Sequence, residues 1–224
     1  MTESRETCDW LIEAAWVIPI RPSGVALERH AVVIDGDRIT TGLPIAEARA
    51  RFAPKRLVQR PDSVLMPGLV NGHCHNPMTL MRGVADDLAL MPWLNQHIWP
   101  IERAVMAPDF IADGIGLAVA EMIRGGTTCC NENYFFRDAM ALAYQRLGFR
   151  AAISIPVIDF PSAWAASQDE YFDKGLAVHD AFRSSPLLSF SMAPHAPYTV
   201  DDAGFERIRR YSEQLDLPVH CHLH

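Results

Sequence analysis

The sequence predicts an α/β fold, in which a small N-terminal β domain precedes the first five strands of a (β/α)8 TIM-type barrel. Three observations predict it. Short segments rich in β-branched residues fill the first sixty residues, strand and helix patterns alternate after them, and polar residues gather at the ends of the later strands. Parallel strands joined by helical crossovers end at one common edge, where a β/α barrel keeps its active site. A doubly wound sheet would instead carry a glycine-rich phosphate loop after its first strand.

The composition excludes several classes of protein. The 224 residues are 49% hydrophobic and 21% charged, with a net charge of −7 and a pI near 5.7. This acidic balance, without a basic run, argues against a nucleic-acid surface but leaves a nucleoside ligand open. No apolar stretch approaches the ~18 residues of a membrane span, and the N-terminus lacks a signal-peptide pattern. Five cysteines without a CxxC pair fit free thiols, so we expect a cytoplasmic protein.

The N-terminal domain is expected at residues 1–62, as part of a small β-sandwich. Asp35-Gly36 lies inside a β-branched segment and predicts a hairpin turn. Arg60-Pro61-Asp62-Ser63 has the composition of a turn and marks the expected boundary. The barrel part is therefore expected at residues 63–224.

Strands and helices alternate through the barrel part. Ser167-x-x-Glu170 and Thr199-x-x-Asp202 resemble capping boxes, so they predict the starts of two of its helices. An eight-stranded barrel needs three strands more than the sequence shows, so we expect this chain to be the N-terminal part of a longer protein. The five predicted strands are residues 69–75, 127–133, 150–157, 187–194 and 218–224.

Two of these strands end in histidines that are two residues apart. In a strand, residues i and i+2 share one face, so His73 and His75 point the same way, as do His220, His222 and His224. Neutral imidazole is a common zinc ligand, and catalytic zinc keeps three protein ligands and one open position. One His-x-His pair also fits a strand that leaves a core through polar residues. The second pair favours a metal site.

Longer motifs carry a resemblance to a known family. LMPGLVNGHCHNPMTLMRG, EMIRGGTT, SMAPHAPYT and LPVHCHLH resemble the amidohydrolase superfamily, in its cytosine deaminase and chlorohydrolase-like branch. PVIDFPSAWA and WPIERAVMAPDFIADG are similar to segments of the 5'-methylthioadenosine/S-adenosylhomocysteine deaminases. The resemblance covers nearly the whole chain.

The resemblance implies roles for five residues. His73, His75 and His222 would bind one Zn²⁺ per subunit, Glu102 would hold ribose hydroxyls, and His195 would contact the substrate. The family's proton-carrying Glu and Asp fall beyond residue 224. The catalytic residues are therefore unknown from this sequence, and we expect the chain alone to be incomplete as an enzyme.

The reaction that follows is zinc-dependent hydrolytic deamination of adenosine-type nucleosides, such as 5'-methylthioadenosine and S-adenosylhomocysteine, to the inosine analogue and ammonia. Zinc lowers the pKa of bound water to roughly 7, which gives a nucleophile at neutral pH. One alternative is a deaminase or dechlorinating hydrolase of another N-heterocycle, which would have no ribose for Glu102 to hold. A second alternative is a metal-free scaffold. We expect a small purine nucleoside as the partner, no nucleic acid, no membrane, and a homo-oligomer.

Overall fold

The computed structural model describes residues 4–223, and the chain divides after Pro67 into two compact units. His224, expected at the end of the fifth barrel strand, lies outside the described residues. None of the helices within the described range is both long enough and apolar enough to cross a membrane.

The N-terminal unit contains one four-stranded sheet with the strand order β3-β2-β1-β4. β2 and β3 form the expected hairpin, and Gly36 in its turn has a φ of +58°, which favours glycine. β4 pairs with β1 in parallel and runs through Arg60–Ser63, where the sequence predicted a turn. As an edge strand, β4 tolerates the missing donors of Pro54 and Pro61. The strands are β1 (Glu6–Val17), β2 (Leu27–Asp35), β3 (Arg38–Pro44) and β4 (Phe52–Leu65).

A short helix, α1 (Ile45–Arg51), packs its buried Ala48 against the core of this sheet. Its Arg49 forms a bidentate ion pair with the buried Glu13 of β1, with Nε–Oε1 and Nη2–Oε2 distances of 2.6 Å each. Gln59 of β4 donates a third hydrogen bond to the same carboxylate at 3.0 Å. These bonds, led by those from Arg49, hold the pKa of Glu13 below its usual value.

The second unit has a parallel sheet with the order β5-β6-β7-β8, flanked by helices, as the sequence predicted. Apolar side chains on one face of the sheet, such as Ile153 of β7, pack with the helices in a buried core. The strands are β5 (Leu69–Cys74), β6 (Thr127–Glu132), β7 (Arg150–Val157) and β8 (Leu188–Pro194). The helices are α2 (Leu90–Trp93), α3 (Trp99–Val105), α4 (Pro108–Arg124), α5 (Arg137–Leu147), α6 (Gln168–Phe182) and α7 (Asp202–Leu215).

The predicted fifth strand, residues 218–224, is wrong as a regular strand in the part that the structure describes. The segment makes a single parallel bridge, between Met192 and Val219. His220 N donates to Met192 O at 2.8 Å, but His222 N donates to His195 O at 3.2 Å. From the first of these bonds to the second, the donor advances by two residues and the acceptor by three. The even spacing of a parallel ladder is therefore lost. The segment still follows β8 and ends near the same sheet edge.

The two predicted capping boxes have different outcomes. Ser167 Oγ accepts from Glu170 N at 3.3 Å and caps α6, while the Glu170 carboxylate accepts from Ala166 N at 2.6 Å. The prediction for α7 is wrong, because Asp201 caps that helix by accepting from Gly204 N at 2.7 Å. The Thr199 hydroxyl instead hydrogen-bonds to His195.

Candidate metal centre

Three imidazoles converge beyond the carboxyl ends of the parallel strands. His73 is the next-to-last residue of β5, His75 directly follows the strand, and His222 comes from the segment beside β8. The Nε2 atom of His75 lies 3.3 Å from Nε2 of His73 and 3.2 Å from Nε2 of His222. One ligand atom from each of the three lies within 4.8 Å of the other two. The structure thus brings together the three residues that the sequence named as candidate ligands.

Main-chain carbonyls orient two of these rings. His75 Nδ1 donates to Asn133 O, and His222 Nδ1 donates to His195 O at 2.7 Å. A carbonyl oxygen can only accept, so Nδ1 carries the proton in both neutral rings and Nε2 keeps its lone pair. Both lone pairs belong to the atoms that face the centre of the cluster. This is the usual way in which a metal-ligating histidine is fixed.

The two nitrogen separations that involve His75 fit a zinc ion. Tetrahedral zinc with Zn–N bonds of 2.0–2.1 Å requires its ligand nitrogens to lie about 3.3–3.4 Å apart. The measured separations of 3.3 and 3.2 Å are close to that value. Two unprotonated nitrogens at such a distance cannot hydrogen-bond to each other, so His75 and His222 approach as two ligands of one cation would.

Burial keeps the rings of His73 and His75 neutral. Together with the smaller effect of the neighbouring imidazoles, it lowers the pKa of His75 to about 3. Burial also lowers the pKa of His73. Neutral imidazole is the form that binds metal, so the electrostatics favour a ligand role.

His220 connects His73 to the sheet. Its Nε2 lies 2.8 Å from His73 Nδ1, and its Nδ1 lies 3.2 Å from Ser154 Oγ. Ser191 Oγ donates to Ser154 Oγ at 3.1 Å. If His73 donates a hydrogen bond from Nδ1 to His220, and His220 donates one from Nδ1 to Ser154, then Nε2 of the neutral His73 ring carries no proton. His220 therefore orients a candidate ligand and does not join the trio itself.

His195, the candidate substrate contact, sits just after β8 and is held by Thr199. Thr199 Oγ1 donates to Ala196 O at 3.2 Å, so it accepts from His195 Nδ1 at 2.9 Å. This places the His195 proton on Nδ1 and leaves Nε2 as an acceptor. Burial lowers the pKa of His195 to about 4. The ring centroids of His195 and His222 are 4.9 Å apart, so His195 adjoins the cluster.

Glu102, the candidate ribose ligand, lies on α3 and is buried, with 9% of its surface exposed. Tyr134 Oη donates to Glu102 Oε1 at 2.5 Å, and the Tyr134 ring lies 6.1 Å from the His75 ring. Burial raises the pKa of Glu102, and the bond from Tyr134 opposes that rise. Carboxylates are rarely buried, so the burial of Glu102, one aromatic ring away from the cluster, supports its candidacy as a site residue.

Sequence reasoning missed Glu132, the last residue of β6, which is fully buried. Its Oε2 accepts from Tyr144 Oη at 2.8 Å and from Asn76 N at 3.0 Å. Burial raises the pKa of Glu132 to about 7, although these bonds and the charge of the buried Arg137 lower it. Its only sequence signal is a carboxylate inside the predicted strand 127–133.

A parallel sheet with three imidazoles converging beyond its strand ends is the arrangement of a metal-centred β/α-barrel protein. The chain belongs to the amidohydrolase family, whose profile matches residues 64–224.

Relatives with deaminase names share most of this chain. It is 43% identical over 218 residues to a 5-methylthioadenosine/S-adenosylhomocysteine deaminase of Teredinibacter turnerae, covering 97% of this chain and 49% of the relative. It is 39% identical over 160 residues to a 5'-deoxyadenosine deaminase of Methanopyrus kandleri, covering 71% and 37%. A crystal structure of an adenosine deaminase from Xanthomonas campestris with bound zinc superposes with a TM-score of 0.95 at 61% identity, covering 98% and 50%. The chain thus spans about half the length of these deaminases or less.

Proposed function

We propose that the protein is a zinc-dependent hydrolase that deaminates adenosine-type nucleosides, 5'-methylthioadenosine and S-adenosylhomocysteine among them. The convergence of His73, His75 and His222 with zinc-like nitrogen separations carries the proposal. Relatives that are named for deamination of such nucleosides, and a zinc-bound relative, support the substrate class and the metal. We propose one Zn²⁺ per subunit.

The residues of this chain would have three roles in that reaction. The three imidazoles would hold the zinc, which when bound supplies Lewis-acid activation of water near neutral pH. Glu102 would accept hydrogen bonds from ribose hydroxyls, with Tyr134 fixing its carboxylate. His195 would contact the substrate through Nε2, since Thr199 occupies its Nδ1. The proton-carrying Glu and Asp implied beyond residue 224 stay a prediction.

Metal analysis and a substrate panel on the full-length protein test the proposal. We expect one zinc per subunit and release of ammonia from 5'-methylthioadenosine, with far slower release from free adenine. A zinc protein that turns over a chlorinated triazine but no nucleoside would contradict the substrate class. A folded protein that binds no zinc would support the scaffold alternative.

The five cysteines are free thiols, which supports a cytoplasmic location, and the homo-oligomer stays a prediction.

A further inference from the structure

The main chain around His75 is tied to the end of β6. His75 stands between a strand and a 3₁₀ helix, Asn76–Met81, with a φ of −127° and a ψ of 68°. On one side of it, Cys74 O accepts from Asn133 N at 2.9 Å. On the other, Asn76 N donates to the Glu132 carboxylate at 3.0 Å. The peptide groups before and after His75 are therefore both bonded to neighbouring residues of one strand end.

The same strand end also orients the imidazole. Asn133, which follows Glu132, offers its carbonyl to His75 Nδ1. Strand register places Glu132 beside Cys74, the last residue of β5. The Glu132 carboxylate therefore reaches past the end of β5 to the main-chain N–H of Asn76. A carboxylate that accepts a main-chain N–H at a helix start is a strong, charge-assisted partner. Without it, the buried N–H of Asn76 would have no acceptor of comparable strength.

Two further buried side chains stabilise the Glu132 carboxylate. Tyr144 Oη of α5 donates to it at 2.8 Å and accepts from Asn76 Nδ2 at 2.7 Å. Arg137 is also fully buried, and its positive charge favours the ionised carboxylate. Glu132 does not belong to the imidazole cluster, and no bond joins it to an imidazole among the described residues. Its carboxylate acts on His75 through the main-chain N–H of Asn76, and Asn133 holds the other side of His75 by main-chain bonds of its own.

We propose that Glu132 is a positioning residue whose carboxylate fixes the main chain directly after His75 and so aims His75 Nε2 at the metal. This inference rests on the proposed function, because it presumes that the imidazole cluster binds zinc. Partners outside the ligand set change metal affinity by about 10- to 100-fold when they are removed. Glu132 would belong to that class of residue.

The test compares three variants of the full-length protein. Glu132→Gln keeps the shape but removes the charge, and Glu132→Asp keeps the charge but withdraws the oxygens by about one bond length. Tyr144→Phe is the matched control, because it removes a hydrogen bond from the same carboxylate and leaves Asn76 N bonded to it. For each protein, the zinc dissociation constant is measured by competition with a chromophoric chelator, and the melting temperature is measured without metal.

We expect zinc binding about 10- to 100-fold weaker in both Glu132 variants and within about threefold of wild type in Tyr144→Phe, although all three melt earlier. If the Gln variant does not fold, the Asp variant still tests the inference. Equal zinc affinity in wild type and either folded Glu132 variant, or an equal loss in Tyr144→Phe, would refute the inference alone. A wild-type protein that binds no zinc would refute the proposed function, and with it this inference.

Discussion

At the scale of single residues, the tautomers of His75 and His222 are set by main-chain atoms. Asn133 and His195 both act through their carbonyl oxygens, so changing their side chains would leave those acceptors in place. The three candidate ligands could be named from the sequence because strand alternation and the family resemblance agree on them. Glu132 could not, because its role depends on the strand register between β5 and β6, which spacing along one strand does not reveal.

Replacement of His222 by alanine tests the metal centre directly. We expect zinc affinity to fall by more than the ~10- to 100-fold that the loss of an outer partner causes, because a ligand itself is removed. His30→Ala is the control, since His30 lies on β2 and bonds to Glu28 O at 2.7 Å. Zinc is measured after dialysis against a weak chelator, and full zinc retention in His222→Ala would contradict the ligand assignment.

Replacement of Glu102 by glutamine tests the substrate class. The change removes a charge-assisted hydrogen bond worth roughly 1.5–3 kcal/mol, so kcat/KM for 5'-methylthioadenosine should fall about 10- to 150-fold. Zinc content should not change. Glu121→Gln alters an exposed carboxylate paired with Arg82 and should leave the rate unaltered. An undiminished rate in Glu102→Gln would remove the main reason to prefer a nucleoside.

At the scale of elements, local patterns predicted what local interactions decide. The strands β7 and β8 were recognisable because buried parallel strands are short apolar runs, and Gly148 ends α5 with a φ of +65°. The error at Thr199 has a local cause that the motif does not show, since His195, four residues earlier, takes its hydroxyl and Asp201 is left to cap α7. The π-helical turn Leu94–Ile98 and α3, which present Glu102, had no periodic signal that could predict them.

Two glycines of α4 should respond oppositely to alanine. A Cβ on Gly114 would lie 2.6 Å from Pro77 O and 2.7 Å from Pro77 Cα, in the 3₁₀ helix that follows His75. Gly114→Ala should therefore destabilise the protein by roughly 1–3 kcal/mol through overpacking. A Cβ on Gly116 meets nothing within 4 Å, so Gly116→Ala should stabilise it by about 0.5–1 kcal/mol. Denaturant unfolding of both variants checks this, and equal stabilities would refute the close contact.

At the scale of the whole molecule, the two units should respond separately to substitution. The pKa of Glu13 is lowered by Arg49, so the stability that this pair contributes is present above pH about 4.5 and is lost as the pH falls through the lower folded value. Glu13→Gln should thus melt earlier than wild type at neutral pH, and the difference should shrink in acid. Glu47→Gln, on the exposed face of α1, should show no such trend. Zinc content should be unaltered in both, and a difference independent of pH would contradict the ion-pair explanation.

The cluster joins residues that are far apart in sequence and are therefore translated at different times. His75 and His222 touch across 147 residues of chain. At a synthesis rate of roughly 5–20 residues per second, about 7–30 s pass between the addition of these two residues. During that interval the nascent chain carries only His73 and His75 of the trio, a pair too small to form a three-ligand site. We therefore expect zinc to be acquired late in biogenesis, after the helices and strands between the two strand ends have been translated.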